Sequence, residues 1–411
     1  MQKSLANIRV LDLSRVLAGP FCTQILGDLG AEVIKVERPA RGDDTRAWGP
    51  PFVKNKDGED TSESAYYLSC NRNKKSVAID IATPEGQNLI RDLIAESDVL
   101  IENFKVGGLH KYGLGYEDLK ADFPQLIYCS ITGFGQTGPL ATEPGYDFLA
   151  QAMAGLMACT GEPDGTPMKV GVALSDIMTG LNAAIGILAA LNYRNEHGVG
   201  QHVDLALTDC TIASLTNIAQ YYLTTGKSAP RLGNAHSTIV PYQAFEASDG
   251  YVILAVGNDS QFERFADFIG HDEWIEDPRF KTNAKRVENR DVLVPMIKDA
   301  IAQQPVLYWV DSLYEINVPC GPVNTMDQTF AMDQTQARNM KIEMDHPLSA
   351  EPVSLVGSPL KMSETPVSYD IPPPLCGQHT SEILKNWLDF TDEDIADLKQ
   401  KGIIDEASLG D

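Results

Sequence analysis

The chain has 411 residues, with 57 Asp and Glu against 33 Lys and Arg, for a net charge of −24 at pH 7. So acidic a protein is not expected to bind nucleic acid or anionic membranes over a broad surface, although an anionic small molecule remains possible where cations cluster. With 43% hydrophobic and 22% charged residues it has an ordinary globular composition, enough for two or three domains, and no run reads as the ~18 apolar residues of a membrane span.

Met1 leads almost directly into a strand-like segment, Ile8 to Leu13, without the basic-then-apolar pattern of a signal sequence. Seven scattered cysteines, odd in number and without a CxxC pair, read as reduced thiols. The expected compartment is the cytoplasm, and no metal site is expected.

In chain order, IRVLDL reads as a buried strand, and Gly19-Pro20 opens a helix that runs to about Leu29. Gly30 then precedes a second strand, Glu32 to Val36. The pattern continues through strand Ser76 to Asp80, a helix opened by Thr83-Pro84-Glu85, strands Val99 to Glu102 and Leu126 to Thr132, and a helical pair near Gly107 to Ala121. This β-α-β series predicts an α/β fold with a Rossmann-like, doubly wound large domain. The first turn, SRVLAGPFCTQ, lacks the G-x-G-x-x-G of dinucleotide sites, so a dehydrogenase reading has little support. The large domain is expected over 1–200 together with 330–411, which makes it discontinuous. A linker helix region over 201–226 and a smaller α+β domain over 227–329 complete the organisation.

The stretch KVGVALSDIMTGLNAAIGILAALNYR, from Lys169 to Arg194, carries the sharpest candidate. A short apolar run meets Ser175 and Asp176 before a long Ala/Leu/Ile helix. Asp176 there is either a helix cap, satisfying first-turn N–H groups, or an ionised, partly desolvated nucleophile. Position alone does not choose between them. Arg38 just past the second strand, Arg72 and Lys74 in Asn71-Arg72-Asn73-Lys74-Lys75, and Lys111 after Asn103-Phe104 all flank strands of one sheet. Individually they read as surface charges, but as a group they suit a phosphate-rich ligand. GFGQTGP after Thr132 and the turn Gly257-Asn258-Asp259 are candidate ligand loops or plain turns. No Ser-His-Asp or Cys-His pairing has recognisable spacing.

Several segments together, IRVLDLSRVLAGPFCTQILGDLGAEVIKVERP, NRNKKSVAIDI, IENFKVGGLHKYGLGYEDL, CSITGFGQTGP, GYDFLAQAMAGLM and KVGVALSDIMTGL, resemble the class III CoA-transferases, the CaiB/BaiF group. The resemblance runs through essentially the whole chain. It implies an interlocked, ring-like homodimer acting on coenzyme A thioesters as substrates, with no tightly bound cofactor. By motif, Asp176 matches the nucleophilic aspartate, and Val16, Ala18, Arg38, Arg72, Lys74, Asn103, Phe104 and Lys111 fall on CoA-contacting segments. It implies that Asp176 takes the acyl group as a mixed anhydride and then holds CoA as an aspartyl thioester. Tyr146 stands where related racemases carry a histidine acid/base, which disfavours α-methylacyl-CoA racemisation; a non-catalytic acyl-CoA-binding protein is the other alternative. In the C-terminal half, STIVPYQAF, DGYVILAVGNDSQF, FKTNAKRVENR, GPVN and PPPLCGQHTSEIL resemble the branch that moves CoA between succinyl-CoA and dicarboxylates such as glutarate. On that reading Tyr146, Gly257 and Asn258 face substrate, and Arg46 and His236 are candidates for the distal carboxylate.

Overall fold

The computed structural model describes residues 3–407, which form two compact units. Of the described residues, the larger comprises 3–156, 170–219 and 336–407, and the smaller 157–169 and 220–335.

The larger unit is built on a seven-stranded sheet. Its strands are β1 (Arg9–Asp12), β2 (Glu32–Glu37), β3 (Lys74–Ile79), β4 (Val99–Glu102), β5 (Ile127–Thr132) and β6 (His202–Ala206), with the short strand Ile404–Asp405 at one edge. The spatial order is 404–405, β3, β2, β1, β4, β5, β6. All neighbours are parallel except Ile404–Asp405, which runs antiparallel to β3. Val10 pairs with Val33 on one side and Val99 on the other, so the chain direction of winding reverses at β1. That reversal opens a crevice beyond the carboxyl ends of β1 and β4, the place where such sheets bind ligands. Because β6 is a full sheet strand, 202–206 belongs to the large unit and not to a linker.

The alternation of side chains along each strand divides the core into two layers. Leu11, Ile34, Val77 and Leu100 point to one face, under helix α2 (Pro84–Ala95) and the C-terminal helices Thr380–Leu388 and Asp392–Gln400, whose Ile383, Leu384, Trp387, Ile395 and Leu398 join this layer. Val10, Val33, Val99, Ile127 and Cys129 point to the other face, under α1 (Ala18–Asp28) and a long helix over Leu174–His197. The latter follows α3 (Asp147–Met153) and is termed α4; α5 (Leu207–Ser214) comes directly after β6. In length and mean hydropathy (1.6) α4 is apolar enough to cross a membrane. Within the fold, however, Ala183, Ala184, Ile187, Ala190 and Leu191 on one of its faces are core residues of this layer.

The smaller unit has a three-stranded antiparallel sheet, with Gly250–Ala255 between Tyr242–Ala247 and Cys320–Pro322. Phe245, Val252, Leu254, Phe262, Phe265, Trp274, Leu293, Ile297 and Trp309 form its own core. The expected helical pair between β4 and β5 is instead a 3-10 turn at His110–Tyr112 and one helical turn at Tyr116–Leu119, since Gly113 adopts a left-handed φ of 67° and Gly115 follows.

Candidate active site

A cleft of about 640 Å³ lies in the crevice defined by the sheet reversal. Its walls come from the segment after β1 (Arg15, Val16, Leu17, Ala18), the segment after β4 (Asn103 to Val106), the end of β5 (Ile131, Thr132, Gly133), the loop through Tyr146, and Asp176. A second cleft of about 230 Å³, lined by Arg38, Asp80, Ile81, Phe104 and Tyr112, shares Arg15, Phe104 and Tyr112 with the first.

Three local devices build these walls. Asn103 stitches β4 to β1: its Oδ1 accepts the Arg15 N–H at 2.9 Å and its Nδ2 donates to the Arg15 carbonyl at 2.7 Å. Val16 is held with φ 72°, a strained conformation for a β-branched residue. The buried Asp43 carboxylate accepts the Val16 N–H at 3.2 Å, and also the Lys35 ammonium at 2.8 Å and the Thr45 N–H at 3.0 Å. Burial alone would raise the Asp43 carboxyl, but the Lys35 charge and these hydrogen bonds hold it down to about 2. The third device is a contact between two glycines. A Cβ on Gly133 would lie 2.5 Å from the Gly145 Cα, so only glycine lets the end of β5 touch the segment that leads into α3.

Asp176 is half-buried in the third residue of α4, which begins at Leu174 with Ala173 as its N-cap and no side-chain cap from either. The helix-cap alternative for Asp176 therefore fails. The cap comes from α3: Asp147 Oδ1 accepts the Ser175 N–H at 2.7 Å and the Asp176 N–H at 3.4 Å. Since another anion takes these amides, the helix end does not keep Asp176 ionised. Burial, followed by the Asp147 charge, pushes its carboxyl up to about 7.

Of the anticipated site residues, Val16, Ala18, Asn103, Phe104, Lys111, Tyr146 and Asp176 line the larger cleft, and Arg38 lines the smaller. Arg72 and Lys74 do not join them. Arg72 is buried, its guanidinium bound to Asp28 at 2.6 and 2.9 Å and to the Val356 carbonyl. Lys74 is fully buried, donating to Asn71 at 2.9 Å and the Pro20 carbonyl at 2.8 Å beside Asp12. Arg46 is buried between Glu37 and Glu63 and is not available to a substrate carboxylate. His236, Gly257 and Asn258 belong to the smaller unit. There His236 Nδ1 accepts the Thr238 N–H at 3.1 Å, and Asn258 caps the helix Asp259–Phe268 by accepting the Gln261 N–H at 2.9 Å. Gly257 donates its N–H to the Gln261 side chain at 2.7 Å, so this turn is a helix entry.

Sequence reasoning missed four residues. Arg15 and Lys105 are exposed cations of the larger cleft, each directly beyond a strand end, which was the available signal. Lys35 was signalled by a charge inside the apolar strand EVIKVE. Asp147 had only its place beside Tyr146, because its partner lies 29 positions away.

A doubly wound sheet whose switch-point cleft holds Arg15, Lys105 and Lys111 beside the exposed Asp44 and Glu143, with Asp176 as its half-buried carboxylate, defines an α/β protein with a ligand-sized cleft at the usual place for this fold. The chain belongs to CoA-transferase family III, whose family model matches residues 5–380. It is 45% identical over 404 residues to the succinyl-CoA:glutarate CoA-transferase of Homo sapiens, covering 98% of this chain and 90% of that protein. It is 47% identical over 380 residues to the succinate–glutarate CoA-transferase of Agrobacterium fabrum, covering 92% of this chain and 94% of that protein. Among solved structures, a CAIB/BAIF family protein from Brucella suis matches with a TM-score of 0.84 and 48% identity over 94% of this chain and all of that one.

Proposed function

We propose that this protein transfers coenzyme A from succinyl-CoA to a dicarboxylic acid of about glutarate's size, with Asp176 as the nucleophile. The observation that carries the reading is the place of Asp176: the half-buried carboxylate of a cleft whose other walls supply Arg15, Lys105 and Lys111. The named activities of relatives 45–47% identical over nearly the whole chain support the substrate pair.

On this reading the phosphates of CoA are met by Arg38, Arg15, Lys105 and Lys111, and its remainder follows Asn103 and Phe104 toward Asp176, past the backbone of Val16 and Ala18. Asp176 attacks the thioester carbonyl carbon, the C–S bond breaks, and CoA leaves as a thiolate, giving a mixed anhydride. The thiolate then attacks the Asp176 carbonyl carbon and releases succinate, leaving an aspartyl-CoA thioester. The acceptor carboxylate attacks that thioester and the sequence runs in reverse, so no water or net proton is consumed. The family resemblance further supports a homodimer, and the scattered cysteines, without a CxxC pair, suit a reducing cytoplasm.

The test is intact-protein mass after brief incubation with succinyl-CoA. Wild type is expected to gain the mass of CoA less water, in a form cleaved by hydroxylamine, and Asp176→Ala to gain nothing and lose transfer to glutarate by at least about a thousandfold. Undiminished turnover by Asp176→Ala would overturn the reading.

A further inference from the structure

We propose that Asp147 is the positioning residue of the nucleophile: its carboxylate fixes the first turn of α4, and its charge favours the states in which Asp176 is acylated and neutral. This rests on the reading of Asp176 as the nucleophile.

The geometry ties Asp147 down from both sides. Oδ1 accepts the Ser175 and Asp176 N–H groups, and Oδ2 accepts Gln151 Nε2 at 2.8 Å. Gln151 is one turn further along α3, fully buried, and its Oε1 accepts the Val170 N–H at 2.9 Å on the segment that enters α4. The start of α3 is itself set by the Gly133–Gly145 contact. On the α4 side, the Ser175 hydroxyl accepts from Thr211 of α5 at 2.7 Å. The backbone of the nucleophile is thus held by a carboxylate, and the choice of an anion has an electrostatic consequence.

The other ionisable groups around this cleft are Arg15, Asp44, Lys105, Lys111, Tyr112, Glu143 and Tyr146, with Tyr66 close enough to feel the Asp176 charge. The first turn of α1 brings no acidic residue, and Asp209 and Cys210 sit on α5, where Cys210 meets Thr179. Asp147 is the neighbour whose charge adds to burial in raising the Asp176 carboxyl. When Asp176 attacks, its negative charge passes to the CoA thiolate, and after the second attack to the departing carboxylate. Each covalent form of Asp176 is neutral, so the repulsion from Asp147 is present in the free enzyme and relieved in the anhydride and thioester. A more basic carboxylate is also a stronger nucleophile.

The rate of adduct formation on succinyl-CoA, followed by quenched intact mass between pH 5.5 and 9, separates charge from capping. Wild type should rise through a midpoint near 7, as Asp176 loses its proton. Asp147→Asn keeps an oxygen for the two N–H groups but carries no charge and gives up the bond from Gln151 Nε2. Its midpoint should fall by about one unit or more, since loss of a nearby like charge favours ionisation, and its plateau should drop several-fold. Asp147→Ala removes the cap as well and should lower the plateau by about a further tenfold. Circular dichroism confirms that each variant is folded. An Asn variant with the wild-type midpoint and plateau overturns the proposal while leaving the nucleophile intact. A wild type that turns over without forming any adduct overturns both.

Discussion

Cations that look alike in the sequence have different fates, and accounting for each nitrogen decides between them. Arg46 has every guanidinium nitrogen engaged: Nε and Nη2 with Glu37 at 2.8 and 2.6 Å, Nη1 with both Glu63 oxygens at 2.7 Å, and Nη2 also with the Tyr67 hydroxyl and the Pro374 carbonyl. Two buried carboxylates depend on one guanidinium. Even so, burial and the Glu37 charge leave the Glu63 carboxyl above its ordinary range. Lysine retains the charge but cannot reproduce the planar fork. Arg46→Lys is therefore expected to lose about 2–3 kcal/mol of stability in urea unfolding at neutral pH, the cost of leaving buried charged groups incompletely bonded. Its KM for the acceptor acid should stay at the wild-type value. A raised KM with unchanged stability would return Arg46 to the substrate. Arg38 and Lys111 are the contrast: both are exposed in the clefts, and neither forms an ion pair among the described residues.

Elements were legible where a local pattern determines them, and less so where a distant partner does. The strands β1 to β5 were visible as apolar runs because both faces of the sheet are covered, and their order of appearance announced the doubly wound sheet. The start of α4 was misplaced because Ser175 and Asp176 have the composition of a cap, while the actual cap, Asp147, is remote in sequence. The small residues of α4 do not all matter equally, and the sequence alone does not rank them. A Cβ at Gly180 would lie 2.6 Å from the Ala18 carbonyl oxygen and 3.1 Å from the Phe21 ring, so α4 crosses the first turn of α1 on bare backbone. A Cβ at Gly186 would meet only the Val203 side chain, at 2.9 Å. Gly180→Ala should thus cost about 1–3 kcal/mol through overpacking against backbone, despite the better helix propensity of alanine. Since Asp176 lies one turn earlier on the same face, adduct formation should slow with it. Gly186→Ala should be close to neutral, because Val203 can shift while the helix gains up to about 1 kcal/mol of propensity. Thermal unfolding of the two variants side by side makes the comparison; equal losses would remove Gly180 from its role in setting the crossing.

At the scale of the whole molecule, α4 poses a question that one chain leaves open. It is apolar nearly all round, yet only one of its faces is buried in the larger unit. Ile185 is 64% exposed and Leu181, one turn before it, 39%. On α3 and its N-cap, Tyr146, Phe148 and Met153 are more than half exposed, as is half of Ile212 on α5. Soluble proteins seldom leave so many large apolar side chains in water unless another surface covers them. A second copy of the chain is the partner that the family resemblance supports, and each copy brings a net charge of −24. Such a dimer must gain enough from apolar burial to outweigh long-range repulsion, which is screened within about 8 Å at physiological salt and over only about 30 Å at 0.01 M. Light scattering after size exclusion should therefore give twice 44.9 kDa at physiological salt, with the thermal midpoint falling in low salt as repulsion between the copies grows. Ile185→Asp should lower the thermal midpoint and the yield of dimer on refolding, by placing a charge within an apolar interface. A wild type that runs as a single chain at micromolar concentration would refute the dimer. An Ile185→Asp protein with the wild-type thermal midpoint and refolding yield would instead exclude this face of α4 from the interface and leave its apolar character to be explained by another partner.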